Sequence, residues 1–277
     1  MPESSILYGG RVSIDFDETK YRDRYKVLVD EKKVKVPSVT TVTGQLDKPA
    51  ILPWGIKMAL GVVQDSILPG FSYTSEELAA IYEKARNQAN WEKRKAANIG
   101  TAAHAWVSGW VQGEVTTMPD KSEPHRKCID AVLGWVEKHN VRFLNTEVPV
   151  YSLEDSFVGR TDGDAEVDGE FSIFDLKTGN GIWSEAVLQL SAYAKARREE
   201  NPSLAYKKGY IIRLGKEDGK FYKFGLDIEA LDRYYPAFLG LKAAYEASKE
   251  IGKQLRAAEK ESRTETGQEW LKELEEA

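Results

Sequence analysis

Alternating apolar and polar residues across residues 157–177 predict a β-hairpin. Asp168-Gly169 interrupts the alternation, and this dipeptide between two such runs is a strong signal for a tight hairpin turn. Residues equally far from the turn pair with each other, which places Asp162 opposite Asp175. Side chains two apart on a strand share a face, so Asp175 and Lys177 point the same way. We therefore expect two carboxylates and an ammonium group to meet.

The rest of the pattern predicts strands at the N-terminus and helices on both sides of the hairpin. Short apolar runs between residues 5 and 37 indicate an N-terminal β region. Thr74 and Glu77 have the spacing of a capping box, which opens a helix that we expect to end near Ala97. Apolar spacing further predicts helices at Thr101–Val111 and Glu123–His139 before the hairpin. After the hairpin it predicts a helix that contains Gln189–Tyr193 with Ser184 as N-cap, strands at Tyr206–Leu214 and Lys220–Leu226, and a long amphipathic helix from Leu231.

This order of elements predicts an α/β fold with a mixed central β-sheet flanked by helices, an N-terminal β region and C-terminal helices. The acids of the hairpin would then lie along the edge of the sheet, below the helix at Thr101–Val111. We divide the chain into an N-terminal β-rich region (1–73), a core (74–258) and an acidic C-terminal tail (259–277). Thr264-Glu265-Thr266-Gly267 is expected to end the last helix.

The composition is that of an ordinary globular protein. Of 277 residues, 42% are hydrophobic and 30% are charged, and we see neither an apolar run of membrane-spanning length nor a signal-peptide pattern. The chain has one cysteine, Cys128, so an intrachain disulfide and an iron–sulfur cluster with four cysteine ligands are both excluded. We expect Cys128 to be a buried small hydrophobic residue and the protein to reside in a reducing cytosol.

The net charge of −5 is unevenly distributed. Acidic residues are concentrated in the C-terminal tail. Each of two basic clusters is either a solvated helix face or part of a surface that binds an anionic ligand. The first cluster comprises Lys84, Arg86, Lys93, Arg94 and Lys95, and the second comprises Lys195, Arg197 and Arg198.

Asp162, Asp175 and Lys177 indicate metal-dependent hydrolysis of a phosphodiester. Facing carboxylates repel each other unless a cation lies between them, and dense oxygen ligands suit Mg²⁺ or Mn²⁺. Lys177 could activate the attacking water or stabilise negative charge on the phosphate. Two alternatives stay open at this point. Asp164, two residues further on, could take the place of Asp162 on the same strand face, and Asp175 with Lys177 could be an exposed ion pair.

Five short motifs follow one another over roughly residues 98–195. They are Gly100-Thr101-Ala102-Ala103-His104, Glu147 within Thr146–Val150, Gly159-Arg160-Thr161-Asp162, Asp175-Leu176-Lys177-Thr178-Gly179, and Gln189-Leu190-Ser191-Ala192-Tyr193. Their order and spacing resemble the PD-(D/E)xK nuclease superfamily, and within it the RecB-like exonucleases, including phage and mitochondrial genome maintenance exonucleases. A weaker likeness to the phage and mitochondrial members covers Val36–Val42.

The resemblance implies a restriction-endonuclease-like core with a site that binds one or two Mg²⁺ or Mn²⁺ ions and no iron–sulfur cluster. It implies that His104, Asp162 and Asp175 are metal ligands, together with the backbone carbonyl of Leu176, and that Lys177 is the catalytic lysine. A histidine ligand must be neutral, so with an ordinary His104 pKa the activity would fall below about pH 6.5.

The same resemblance assigns supporting roles to Glu147, Gln189 and Tyr193. Glu147 would support a second metal ion or its waters, or else be a solvated strand residue. Gln189 and Tyr193 lie four residues apart and so on one helical face, from which they would orient the lysine or the scissile phosphate. The glycines at Gly159 and Gly179-Asn180-Gly181 would allow metal or DNA to approach the backbone closely.

In function, the resemblance implies an exonuclease for single-stranded or end-containing DNA in phage-type recombination, repair or replication, in a bacterial or phage-infected host cytosol. The alternatives are a site-specific or structure-specific endonuclease of the same fold and a catalytically inactive DNA-binding module. Trp106, Trp110 and Trp183 could stack on unpaired bases. The tail, with Trp270 and Leu271, could bind a protein partner, cover the DNA groove, or dock on its own domain.

Overall fold

The computed structural model describes residues 3–17, 19–20 and 24–275, and the side chains of residues 4–262 within these ranges. This part of the chain forms two β-sheets and six α-helices, which confirms the mixed α/β class. No helix in the described part combines the length and apolar character needed to cross a membrane. The N-terminal sheet is an antiparallel meander of β1 (Glu3–Leu7), β2 (Val12–Phe16), β3 (Tyr25–Val29) and β4 (Lys32–Val34).

The second, five-stranded sheet carries the hairpin. Its strands, adjacent in this order, are β5 (Arg142–Ser152), β6 (Phe157–Val167), β7 (Glu170–Lys177), β8 (Lys208–Leu214) and β9 (Phe221–Asp227). Only β7 and β8 run parallel, and the crossover between them contains helix α5 (Ser184–Glu200), as a parallel connection requires. The predicted mixed sheet is thus confirmed, although Ser184 is the first helical residue and Trp183 occupies the N-cap position.

The predicted hairpin turn is confirmed at Asp168-Gly169. Val167 pairs with Glu170, so the loop has two residues, and both have positive φ angles of 52° and 83°. Turns with two positive φ angles match the right-handed twist of the flanking strands, and Asp-Gly is among the sequences that adopt them most easily. The turn therefore sets the register of β6 and β7 from the local sequence alone.

The other helices are α1 (Val39–Thr43), α2 (Ile51–Ser66), α3 (Ser75–Val111), α4 (Arg126–Lys138) and α6 (Ile228–Glu275). The description of residues 1–73 as β-rich is therefore wrong beyond β4, because residues 39–43 and 51–66 are helical. Exposed apolar side chains of α2 recur every fourth residue at Leu52, Ile56 and Leu60, a helical spacing that the sequence analysis overlooked.

The capping box of Thr74 and Glu77 is confirmed, but the helix that it opens does not end near Ala97. Instead α3 continues through Gly100 to Val111. A Cβ atom on Gly100 would lie 2.8 Å from Thr178 Oγ1, so the glycine is there to admit a neighbour and does not interrupt the helix. One rigid helix therefore carries both the first basic cluster and His104.

The predicted break at residues 264–267 is also wrong, since α6 continues to Glu275. A single glycine in a helix costs only about 1 kcal/mol, and the residues around Gly267 are mostly good helix formers. The tail is thus a continuation of α6 in its backbone. The side chains of Trp270 and Leu271 lie outside the described residues, so their proposed docking has no structural description.

Two apolar clusters cover opposite faces of the second sheet. Ile173 and Ile211 pack with α1, α5 and α6, whereas Phe174 and Ile212 pack with α3 and α4. Neighbouring strand residues point to opposite faces, so these clusters form two layers of one sandwich. Cys128 is a buried, free cysteine of the second layer, as expected. A third cluster joins the N-terminal sheet to Tyr151 and Val158.

Gly159 allows α5 and α1 to pack on β6. A Cβ atom at this position would lie 2.7 Å from Tyr193 Cε1 and 3.1 Å from Val39 Cγ2. Both neighbours belong to the buried core. The expectation that Gly159 admits metal or DNA is therefore wrong, because its open face is filled by protein side chains.

We predict that Gly159→Ala destabilises the protein by about 1–3 kcal/mol, because the added methyl group overpacks a buried contact. Gly61→Ala is the matched control. Gly61 lies in α2, and a methyl group added there would meet nothing within 4 Å, so the same substitution should stabilise by about 0.5–1 kcal/mol. Urea unfolding of both variants measures the difference. Equal stability of the two variants would contradict this account of Gly159.

Candidate active site

The site lies where β6 and β7 stop pairing. Their ladder runs from the turn to Gly163 and Phe174. Beyond that pair β6 continues beside β5, while β7 continues beside β8 to Lys177. Asp162 and Asp175 are the first residues past the last pair, at the level where the register would place them opposite each other. The predicted juxtaposition of these two acids thus falls at a fork in the sheet.

A third acid lies at the same level of the sheet. Thr146 pairs with Gly163 and Val148 with Thr161, so Glu147 of β5 stands opposite Asp162. Glu147 has a φ of 54°, an uncommon conformation for a side-chain-bearing residue, which interrupts the regular ladder there. The site therefore extends from edge strand β5 onto the interior strands β6 and β7, and the expectation that it follows the sheet edge is only partly right.

His104 reaches this level from α3. Its Nδ1 atom lies 3.2 Å from Asp162 Oδ1 and 3.6 Å from Glu147 Oε1. His104, Glu147 and Asp162 each offer one ligand atom, and these atoms lie within 4.8 Å of one another. The structure therefore brings together two of the three predicted side-chain ligands, His104 and Asp162, and adds Glu147, which was expected only in a supporting role.

Asp175 lies beside this cluster and is engaged by Lys177. The Lys177 Nζ atom is 2.9 Å from Asp175 Oδ1 and 2.7 Å from Oδ2. Between them in sequence, Leu176 donates its backbone N–H to Asp162 Oδ2, a bond that is possible because this N–H has left the β6 ladder. The Asp175–Lys177 pair and the His104 cluster are thus connected through one peptide unit.

Gln189 and Tyr193 approach the same point from α5. Lys177 Nζ donates to Gln189 Oε1 at 3.0 Å, so Gln189 contacts the lysine as the resemblance implied. The ring of Tyr193 is buried against Gly159. Burial, reinforced by the neighbouring Tyr25 and Asp175, raises the pKa of Tyr193 well above its ordinary value, so it is a neutral phenol. Its ring packs in the core below the acids.

The charges of the site strongly favour the protonated form of His104. Burial alone would lower the pKa of His104, but Asp162 and Glu147 outweigh burial and raise it to about 10. Burial raises the pKa of Asp175 to about 6 against the lowering effect of Lys177. For Asp162, His104 and Lys177 outweigh burial and lower the pKa. The expectation of an ordinary His104 pKa near 6.5 is thus wrong.

Arg160 is a part of the site that the sequence analysis did not assign. Its Nε atom lies 2.8 Å from Glu147 Oε2, and its guanidinium carbon lies 4.9 Å from the centre of the Phe16 ring. Arg160 precedes Asp162 by two residues, so strand alternation could have placed it on the same face. Three acids of the site are thus matched by His104, Arg160 and Lys177.

Asp164 is not an alternative to Asp162. It is fully buried, and it accepts hydrogen bonds from Arg197 at 2.7 Å and from Tyr206 at 2.5 Å. Arg197 lies on α5, whereas the His104 partner of Asp162 lies on α3, so the two aspartates reach helices on opposite faces of the sheet. Between them Gly163 has a φ of 149°, which breaks the strand alternation on which the expectation rested.

The two basic clusters differ in how far their side chains are already paired with acids. In the second cluster, Arg197 pairs with Asp164, Lys195 with Glu154 and Arg198 with Asp232. The side chains of the first cluster lie along the N-terminal part of α3 and are exposed. Within that cluster, Lys93 lies over the Trp54 ring and Lys95 over the Trp91 ring. The first cluster thus offers exposed cations on the helix that carries His104, whereas the cations of the second cluster are paired with acids.

No family model and no curated protein matches this chain. Among solved structures, one described as "Crystal structure of SSO0001" is similar, with 15% sequence identity and a TM-score of 0.23. The match covers 40% of this chain and 55% of that chain, so it spans about half of the solved structure. A similarity of this size supports no statement about fold or function.

We predict that Mn²⁺ binding releases about one proton per ion at pH 8, because Asp162 and Glu147 raise the pKa of His104 to about 10 and a ligand imidazole must be neutral. Raising the pH towards 10 should therefore strengthen binding by about tenfold per pH unit. Below pH 6, Asp175 also takes up a proton, and binding should weaken more steeply.

Calorimetry in two buffers of different ionisation enthalpy counts the released protons. The matched variants are His104→Ala, which should lose the proton release, and His125→Ala, which should keep it. Proton release that persists in His104→Ala would show that the ion displaces a proton from some other group.

Proposed function

We propose that this chain is a divalent-metal-dependent nuclease of the PD-(D/E)xK, RecB-like type that hydrolyses phosphodiester bonds of DNA. The observation that carries the proposal is the alignment of Glu147, Asp162 and Asp175 at one level of three neighbouring strands, with His104 above two of them. Lys177 follows on the same strand as Asp175. The motif resemblance named the same residues, although it implied Asp175 and not Glu147 as the third side-chain ligand.

The residues of the cluster suit a hard divalent cation. One imidazole nitrogen and two carboxylates converge within 4.8 Å, and such donors fit Mn²⁺ or Mg²⁺. The strongly raised pKa of His104 means that the carboxylates already bind a positive charge in the form of a proton. A divalent ion held by His104, Glu147 and Asp162 would supply Lewis-acid stabilisation of negative charge on the phosphate.

Lys177 supplies a positioned charge of its own. Asp175 and Gln189 hold its Nζ atom from two sides, while its side chain remains 30% exposed. An ammonium group so fixed can donate to a phosphate oxygen or hold a water for attack without reorganising during the reaction. Surrounding acids raise the pKa of Lys177 against the effect of burial, so it stays protonated and acts as a cationic donor.

We expect DNA cleavage to require Mg²⁺ or Mn²⁺ and to stop in EDTA. Lys177→Ala should retain Mn²⁺ and DNA binding but lose about 10²- to 10⁴-fold in single-turnover rate, the usual contribution of a positioned electrostatic or acid–base group. Lys208→Ala is the control, because Lys208 is also a strand lysine, paired with Glu170 at 3.0 Å. Similar small losses in both variants would make Asp175–Lys177 an ordinary strand ion pair and would defeat the proposal.

The substrate that we propose is DNA with free ends or single-stranded segments. Trp106 and Trp110 stack on each other, with 5.6 Å between ring centres, in the layer formed by α3 and α4. Trp183 instead is 64% exposed in the segment between Lys177 and α5. A Cβ atom on Gly181 would lie 3.1 Å from Cζ2 of this indole, so the ring lies close to the Gly181 backbone. We propose that an unpaired base stacks on this exposed indole.

Trp183→Ala should weaken binding of single-stranded DNA by about 5- to 100-fold, the range expected for losing one base stack. Binding of blunt duplex DNA should change much less. Phe71→Ala is the control, because Phe71 is 69% exposed but precedes α3, about 40 Å from His104 along the helix. Titration of labelled oligonucleotides measures both variants. Equal losses on single-stranded and blunt DNA would contradict stacking at Trp183.

Two alternative functions of the same site can be separated with one pair of substrates. An exonuclease should degrade end-labelled linear DNA and spare closed circular DNA. A site-specific or structure-specific endonuclease should cleave the circle, and an inactive binding module should retain DNA in Mn²⁺ without cutting either form. The proposal extends to DNA recombination, repair or replication in the cytosol only through the motif resemblance.

A further inference from the structure

The N-terminal segment around α1 is attached directly to the site, although it lies far from the catalytic motifs in sequence. Val158 of β6 donates its N–H to Pro37 O at 3.1 Å, which fixes the start of the segment to the sheet. Ser38 caps α1 by accepting from the Thr41 N–H. Val39 and Val42 are fully buried in the core between α1 and α5. The last residue of this short helix is therefore held in place.

That last residue, Thr43, contacts Gln189. Thr43 is 1% exposed, and its Oγ1 atom accepts a hydrogen bond from Gln189 Nε2 at 2.9 Å. The other end of the same amide, Gln189 Oε1, accepts from Lys177 Nζ at 3.0 Å. Thr43, Gln189 and Lys177 thus form a continuous chain of hydrogen bonds from α1 to the reactive lysine.

The two ends of the Gln189 amide are not interchangeable in this arrangement. An ammonium group offers only donors, so the amide oxygen must face Lys177 and the NH₂ group must face away from it. Gln189 is 6% exposed, and a buried NH₂ group without an acceptor is costly. The Thr43 hydroxyl supplies that acceptor, so it allows Gln189 to keep its oxygen on the lysine.

We propose that Thr43 is a positioning residue that acts through Gln189 to hold the Lys177 ammonium group at the reacting centre. The effect on cleavage rate rests on the proposed nuclease function, whereas the hydrogen-bond chain itself does not. The inference gives the segment Val36–Val42 a role that its weak sequence likeness alone did not suggest. This segment contains most of α1 and anchors the helix in the core, and Thr43 at the end of α1 supports the lysine through Gln189.

Thr43→Val removes the hydroxyl at nearly constant volume and should lower single-turnover cleavage by about tenfold, as for one positioning hydrogen bond. Mn²⁺ affinity should stay unchanged, and Thr43→Ser should restore the rate. In a Gln189→Ala background, Thr43→Val should cause no further loss, because the two residues act in series. Thr40→Val is the control on the exposed side of α1. If Thr43→Val lowers the cleavage rate as much in the Gln189→Ala background as in the otherwise unaltered protein, the proposal is overturned.

A second measurement does not depend on activity. Hydrogen exchange of the Gln189 side-chain amide, assigned by its absence in Gln189→Ala, should be slow in the unaltered protein and in Thr43→Ser. It should be at least about tenfold faster in Thr43→Val, or in Thr43→Ala if the valine variant does not fold. Unchanged exchange would overturn the positioning role. Absence of cleavage by the unaltered protein, with these exchange differences intact, would defeat the nuclease proposal alone.

Discussion

The end of the β6–β7 ladder at Gly163 and Phe174 is the constraint on which the site depends. As long as two strands pair, their backbone groups bond each other and their side chains alternate regularly between faces. Once they separate, the Leu176 N–H is free to bind the Asp162 carboxylate. Gly163 makes this change of direction possible, since any Cβ there would lie 2.0 Å from the Asn145 carbonyl oxygen. The fork thus turns an ordinary hairpin into a place where side chains from both faces meet.

Charge compensation explains how so many acids can share this place. Isolated buried carboxylates are expensive, and they persist only beside cations or hydrogen-bond donors. His104 and Arg160 flank Glu147, and Lys177 holds Asp175. Asp162 and Glu147 in turn raise the pKa of His104 to about 10, so the imidazole carries one of the compensating positive charges. Such a site loses some stability through its buried charges but needs little reorganisation when a ligand binds.

The helices around the fork act as its support. Gly100 lets α3 approach Thr178, the residue after Lys177, and so brings His104 over the strands. Gly159 lets α5 approach β6, which places Gln189 against Lys177. In both cases a missing side chain sets the distance between a helix and the sheet. Asp164 is adjacent to the site in sequence, but its buried pair with Arg197 joins α5 to β6.

Local sequence determined the features that depend on neighbouring residues: the Asp168-Gly169 turn, the capping box at Thr74, the α/β class, and the motif residues that the structure brings near the fork. The PD-(D/E)xK identity of the core stays a proposal. Tertiary structure alone decided that α3 runs unbroken through Gly100, that Asp162 and Asp164 serve opposite faces, and that Asp175 bonds Lys177 beside the His104 cluster. It also set the raised pKa of His104. These features arise from contacts between elements distant in sequence, where the packing of a helix on a sheet overrides local periodicity and sets the charges that each group meets.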